Sequence, residues 1–265
     1  MAAVNHMRFH TTLFLSLAAR LLSAQVVGPT DADRPILVLV KTDPWRAVIG
    51  SDSPAFVLYE SGWVVQATDS IPFLAGKLNR DAVAALIADM NSPGFDALDS
   101  AYTEGPFTDA PTTILFARRP KGPKTVSVYA AGALGNPSSQ VPAAFASLME
   151  HIANTSLLNP EPWLPARTEL LLEETPQTGD LLDWPQDWPA PTRYPGFFIA
   201  ILSPAQITRL LSFLAPLRER PIWLRKDQRF SPLGLHFTFP GEERWMSVIH
   251  HRPTSCCCHL TSAWT

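Results

Sequence analysis

Asp183-Trp184-Pro185-Gln186 is followed at once by Asp187-Trp188-Pro189, so an Asp-Trp-Pro triplet repeats at a spacing of four. Proline stiffens such a loop by fixing φ, and two indoles on a stiff loop offer flat faces to a sugar ring or a proline-rich peptide. Asp183, Trp184, Asp187 and Trp188 are therefore the candidate ligand-binding residues. The competing reading is a clasp, in which both indoles pin the loop to the core of a chain that has few other staples.

Other chemistry-bearing residues are sparser. Asp96, Asp99, Glu104 and Asp109 share one loop, and paired carboxylates there would suit glycoside hydrolysis or calcium. Solvated acids and an Asp before Ala110-Pro111 are equally the marks of an ordinary turn. His250, His251, Cys256, Cys257, Cys258 and His259 are metal-ligand types, but three adjacent cysteines lack the C-x2-C spacing that brings two thiolates to one tetrahedral ion. The composition also breaks after Ile249, which reads as an adventitious tail. The sequence holds neither G-x-S-x-G nor H-E-x-x-H, and Gly132 to Asn136 lacks the lysine and serine of a phosphate cradle. His151 on a helix and His236 in a strand read as ordinary histidines. No metal and no cofactor is implied.

Composition narrows the partners. The 265 residues are 46% hydrophobic and 17% charged with a formal net charge of -3, enough apolar material for a core and no basic excess to attract nucleic acid. Proline outnumbers glycine, 26 to 13, which predicts short elements joined by stiff loops. The three cysteines are consecutive, so no disulfide framework is expected.

Met7 to Ala24 has the pattern of a secretory leader. Arg8 and His10 precede an apolar run from Thr11 to Leu22, interrupted by Arg20, and Ser23-Ala24 forms a small-residue exit before Gln25. The expectation is a leader over 1–24, cleavage before Gln25, a mature chain with no membrane span, and a secreted or periplasmic location.

The elements that must position any site follow from periodicity. Ile36 to Val40 predicts a buried strand, and Ala55 to Glu60 with Trp63 to Gln66 a hairpin turning at Ser61-Gly62. Asn79 caps a helix whose Val83, Leu86, Ile87 and Met90 are expected on one buried face. Phe95 to Pro111 is expected as a loop, Thr112 to Ala117 and Lys124 to Ala130 as a second hairpin. Val141, Phe145, Leu148 and Ile152 mark a second helix. Thr155 to Pro195 is proline-rich, with one good strand at Thr168 to Glu173. Ser203-Pro204-Ala205-Gln206 is a capping box opening a third helix with Ile207, Leu210, Leu211 and Leu214. Strands are expected at Pro221 to Arg225, Leu233 to Phe239 and Arg244 to Ile249.

The Asn79 and Ser203 helices match at a constant offset, and Thr125 to Tyr129 resembles Trp245 to Ile249. The expected fold class is thus α+β, antiparallel sheets with helices packed on one face, built from two similar strand-helix-hairpin units: a first over 25–158 and a second over 159–249, with an atypical tail over 250–265. Tyr59-x-x-Gly62-x-Val64, the Asn79 helix, the Tyr102 loop, Asp109-x-Pro111-Thr112-Thr113, Val126-x-Val128-Tyr129, Pro162-Trp163-x-Pro165 and Pro240-Gly241-Glu242 together resemble a family of exported bacterial domains of unknown function. That resemblance implies a fold and an envelope location, and no activity. Some such domains carry a Cys-x-x-Cys ahead of the first strand; this chain has none there. The expected function is an envelope-associated binding or interaction protein for a glycan or peptide. The alternative is a hydrolase acting on envelope glycans through the loop carboxylates.

Overall fold

The computed structural model describes residues 28–42, 53–68, 73–103, 110–131, 141–176, 181–214, 222–225 and 228–243. The expected leader over 1–24, Glu104, Asp109, Gly132 to Asn136, the strand at 244–249 and the Cys256–Cys258 tail lie outside the described residues. Antiparallel sheets dominate, with few helices, and the chain divides into two compact units. One comprises residues 28–163 together with 236–243, the other 164–235.

The first unit holds an eight-stranded sheet in the order β5-β7-β6-β1-β2-β3-β4-β8. Its strands are β1 (Pro35–Thr42), β2 (Pro54–Tyr59), β3 (Trp63–Ala67), β4 (Phe73–Lys77), β5 (Ala101–Thr103), β6 (Thr112–Ala117), β7 (Lys124–Tyr129) and β8 (Leu158–Trp163). β1 is apolar without alternation because both its faces are covered. Leu37 and Leu39 belong to one apolar cluster with Leu58, Leu115 and Val126. Val38 and Val40 belong to another with Val57, Phe73, Phe116 and Trp163. The period of two along the strand sorts its side chains between the two clusters. At the expected hairpin turn Gly62 takes φ 79°, a left-handed conformation costly for any residue with a Cβ, and donates its N–H to the Tyr59 carbonyl at 2.9 Å.

Among the described residues this unit has three helices: α1 (Arg80–Met90), the single turn α2 (Pro93–Asp96) and α3 (Ala143–Ala153). Asn79 caps α1 as expected, its Oδ1 accepting from Ala82 N at 2.7 Å. Leu86 and Met90 are buried in the first cluster beside Phe95, Phe145, Leu148 and Ile152. Ile87 departs from expectation: it is 39% exposed. It stands about 100° around the helix from Leu86, so the buried stripe of α1 is narrower than an i, i+3, i+4 pattern requires.

Two further expectations are corrected here. The segment read as a loop from Phe95 contains the second half of α2 and all of β5, which pairs in parallel with β7. Residues 159–163, placed by sequence in the second unit, form part of β8 and pair with β4. β8 carries Pro160 and Pro162, which hid it. Among the described residues it is an edge strand paired with β4, the place in a sheet where proline is tolerated.

The second unit holds a six-stranded sheet in the order β10-β13-β14-β9-β12-β11. The strands are β9 (Thr168–Glu174), β10 (Leu181–Asp183), β11 (Thr192–Tyr194), β12 (Phe197–Leu202), β13 (Ile222–Arg225) and β14 (Gln228–Phe237). Its helix, α4 (Pro204–Leu214), begins at the expected capping box. Gln206 Oε1 accepts from Ser203 N at 2.9 Å and from Ser203 Oγ at 3.1 Å. In the first sheet the hairpin after α1 joins through its first strand, β6 beside β1. In the second, β13 and β14 pair and β14 lies beside β9. The strand at 244–249, which the expected duplication matches to β7, lies outside the described residues.

Candidate functional site

The Asp-Trp-Pro loop lies in the second unit. Trp184 and Trp188 are buried, 8% and 5% exposed, so their faces are not presented to solvent. They meet edge to face at 5.4 Å and 88°. Trp184 also meets Trp223 at 6.0 Å and Phe230 at 6.1 Å, and Trp188 meets Trp223 at 5.9 Å. Of the two sequence readings, this geometry is that of the clasp, because both rings are buried against other aromatic rings.

The polar groups of the loop secure it to α4. Gln206 Nε2 donates to the Asp187 carbonyl at 2.6 Å, and Arg209 pairs with the Asp187 carboxylate while its guanidinium lies 5.7 Å from the Trp188 ring. The Arg209 hydrogen bond holds the Asp187 carboxyl below the usual carboxylate range. Asp183 and Asp187 are exposed. The indole Nε1 groups of Trp184 and Trp188 are buried with no hydrogen-bond partner among the described residues. Each such donor costs about 1–3 kcal/mol, which offsets part of what the rings contribute by burial.

The acid loop does not assemble a carboxylate pair among the described residues. Asp96 is bonded instead to Arg119 and Lys121 of the β6–β7 turn, and hydrogen bonds from Lys121 and then Arg119 hold its carboxyl below the usual range. Lys124 donates to the carbonyls of Asp96 at 2.6 Å and Leu98 at 2.7 Å, with its ammonium 5.8 Å from the Phe95 ring. Asp99 offers its backbone N–H to the Tyr102 hydroxyl at 2.6 Å. The basic turn therefore occupies the Asp96 carboxylate, while Glu104 and Asp109 of the same loop lie outside the described residues.

A groove of about 270 Å³ runs between α1 and the C-terminal end of α3. Ala82, Ala85 and Leu86 of α1 supply its apolar wall, and Asn79, His151, Asn154, Thr155 and Ser156 its polar groups. The small side chains of α1 leave room there, and α3 is capped at Asn154, so residues of its last turn and of the following segment line the same space. Thr155 Oγ1 is spent on the Ile152 carbonyl at 2.8 Å. His151 Nδ1 is bonded to Asp89 Oδ2 near the end of α1. Sequence reasoning passed over this site because its residues come from two helices more than sixty positions apart (His151 and Asp89 are separated by 62), and nothing in either helix signals the other.

A second polar cluster also escaped the sequence. Tyr59 is fully buried, its hydroxyl has no partner among the described residues, and burial first, then the carboxylates of Asp33 and Glu242, push its pKa far above the ordinary phenol value. Glu242 is occupied: it accepts from Phe239 N and pairs with His236 Nε2, both at 2.7 Å. Burial raises the Asp33 carboxyl, but hydrogen bonds from Ser61 and Thr30 outweigh that and leave it below its usual range. The segments Tyr59 to Gly62 and Pro240 to Glu242 thus meet in one unit. Gly241, at φ 69°, sits so close that a Cβ would lie 2.7 Å from Pro35 Cδ. The packing accounts for these residues as a structural joint.

Among the described residues no three His, Cys, Asp or Glu side chains are grouped to hold a metal ion, and no helix is long and apolar enough to cross a membrane. Compared with protein-family models, curated proteins and solved structures, the chain matches none.

Proposed function

We propose that this is an exported, envelope-associated binding protein that holds one residue of a glycan in the groove between α1 and α3, a peptide segment being the second ligand class to test. The groove itself carries the reading: a mostly apolar recess walled by Ala82, Ala85 and Leu86, with hydrogen-bonding residues among its lining, suits the apolar face of a sugar ring whose hydroxyls meet those residues. Its volume lies just below the usual range of small-molecule pockets, about 300–1,000 Å³, which favours a single ring over a longer segment. The apolar cluster shared by α1, α3 and strands of the first sheet supports an arrangement with the helices across one face, leaving the outer side of the α1–α3 pair for the groove. Export rests on the leader pattern of Met7 to Ala24.

The test is an array of glycans and short peptides probed with the wild type and with Ala85→Trp. Ala85 is exposed on α1, so the bulky replacement fills the groove without entering the core. Loss of binding in that variant alone supports the reading, and undiminished binding contradicts it. N-terminal sequencing of the protein from an expressing bacterium is expected to find Gln25 first; an intact leader on the recovered protein contradicts export.

A further inference from the structure

One of the residues lining the groove, His151, is bonded through its far ring nitrogen to Asp89, which lies outside the lining. A carboxylate has no proton to give, so in the bond between Asp89 Oδ2 and His151 Nδ1 the ring nitrogen is the donor, and Nε2 is the ring nitrogen that Asp89 does not engage. His151 lines the groove, and its side chain is 49% exposed, so water and ligand reach it. His236 differs: its Nε2 is consumed by Glu242. The groove also supplies donors. Asn79 spends its Oδ1 on Ala82 N, which leaves its Nδ2 hydrogens for a ligand, and the Asn154 amide and Ser156 hydroxyl line the same space. Among the described residues lining it, His151 is the one titratable side chain, beside uncharged hydrogen-bonding residues.

From this arrangement we infer that the groove hydrolyses small acyl esters carried on a sugar, such as acetyl esters, with His151 as general base and Asp89 as its positioning residue. The inference rests on the groove being the ligand site. In the step, His151 Nε2 takes a proton from a water molecule as the water oxygen bonds to the acyl carbon. The carbonyl π electrons move to the carbonyl oxygen, where the amide N–H groups of Asn79 and Asn154 are the available donors. Collapse of the tetrahedral species breaks the bond to the alkoxy oxygen, which takes the proton back from the imidazolium. The products are a carboxylic acid and the free sugar hydroxyl, the water is consumed, and the base is regenerated. No metal, oxidant or covalent enzyme intermediate enters the balance.

Hydrolysis of p-nitrophenyl acetate and of an O-acetylated monosaccharide tests it, on the full chain, against free imidazole at equal concentration. The expected wild-type rate exceeds free imidazole by about 10²–10⁴-fold, the usual return from a positioned general base. His151→Ala and the bulkier His151→Gln are expected to fall to the free-imidazole level with unchanged far-ultraviolet circular dichroism. Added imidazole is expected to restore part of the His151→Ala rate. Asp89→Asn is expected to lower kcat about tenfold or more with KM unchanged, a split that loss of mere packing would not give. Wild-type hydrolysis no faster than that of His151→Ala overturns the inference. If Ala85→Trp abolishes sugar binding in that case, the groove remains the ligand site and only the esterase falls; if Ala85→Trp leaves both binding and hydrolysis intact, both readings fall.

Discussion

Replacing Trp184 or Trp188 separates what the rings contribute from what their N–H groups cost. A buried tryptophan removes about 150–250 Å² from water. At about 25 cal/mol per Å² that is about 4–6 kcal/mol, and both rings are more than nine-tenths buried. Against this stands one unpartnered indole N–H per ring, worth about 1–3 kcal/mol of destabilisation that leaves with the side chain. Trp184→Ala and Trp188→Ala are therefore each expected to cost about 3 kcal/mol. Trp→Phe at the same positions keeps most ring contact and removes the stranded donor, so its expected cost is about 1 kcal/mol or less. The rings touch at 5.4 Å, and the double alanine variant is expected to cost less than the sum of the singles. Urea unfolding followed by far-ultraviolet circular dichroism reads all five variants. Alanine variants within about 0.5 kcal/mol of the wild type would refute the clasp, because that is the range of exposed positions.

The remaining predictions concern backbone and charge. Gly62→Ala is expected to cost about 1–2 kcal/mol, since φ 79° is strained for a residue with a Cβ but the space around it is open. Gly241→Ala is expected to cost clearly more, because its Cβ would also meet Pro35 Cδ at 2.7 Å; equal melting temperatures for the two variants would contradict this. Asp96 has its pKa lowered in the fold, so its contribution is present above the ordinary carboxylate pKa, about 4, and is lost as the pH falls through the lower folded value. The difference in melting temperature between wild type and Asp96→Asn is accordingly expected to be constant near neutrality and to close in acid; a difference that persists at the lowest pH would show that the bridge to Arg119 and Lys121 is not its source.

Strong local signals were legible in the sequence. Asn79 and Ser203 are caps because an oxygen side chain, or a Gln three residues on, must satisfy helix N–H groups that have no internal partner. The β2–β3 hairpin was legible because Ser61-Gly62 supplies the positive φ the turn requires. β8 was not, since Pro160 and Pro162 argue against a strand until it is known that the strand lies at an edge. β12, Phe197–Leu202, followed directly on the proline-rich stretch and was read over. The burial of Trp184 and Trp188 depends on Trp223 and Phe230, which reach them only through the sheet order β10-β13-β14. The groove and the His151–Asp89 pair depend on two helices set side by side. That is a tertiary fact, carried by neither helix's own periodicity.

The most direct test of the central claim is a crystal structure after soaking with an acetylated monosaccharide, with a tri-alanine peptide in a parallel soak. The account predicts the sugar ring in the α1–α3 groove, against Ala82 and Ala85, with its oxygens on Asn79, Asn154 or His151. A sugar bound at another surface while the groove stays empty, or the peptide alone seated in the groove, would contradict it.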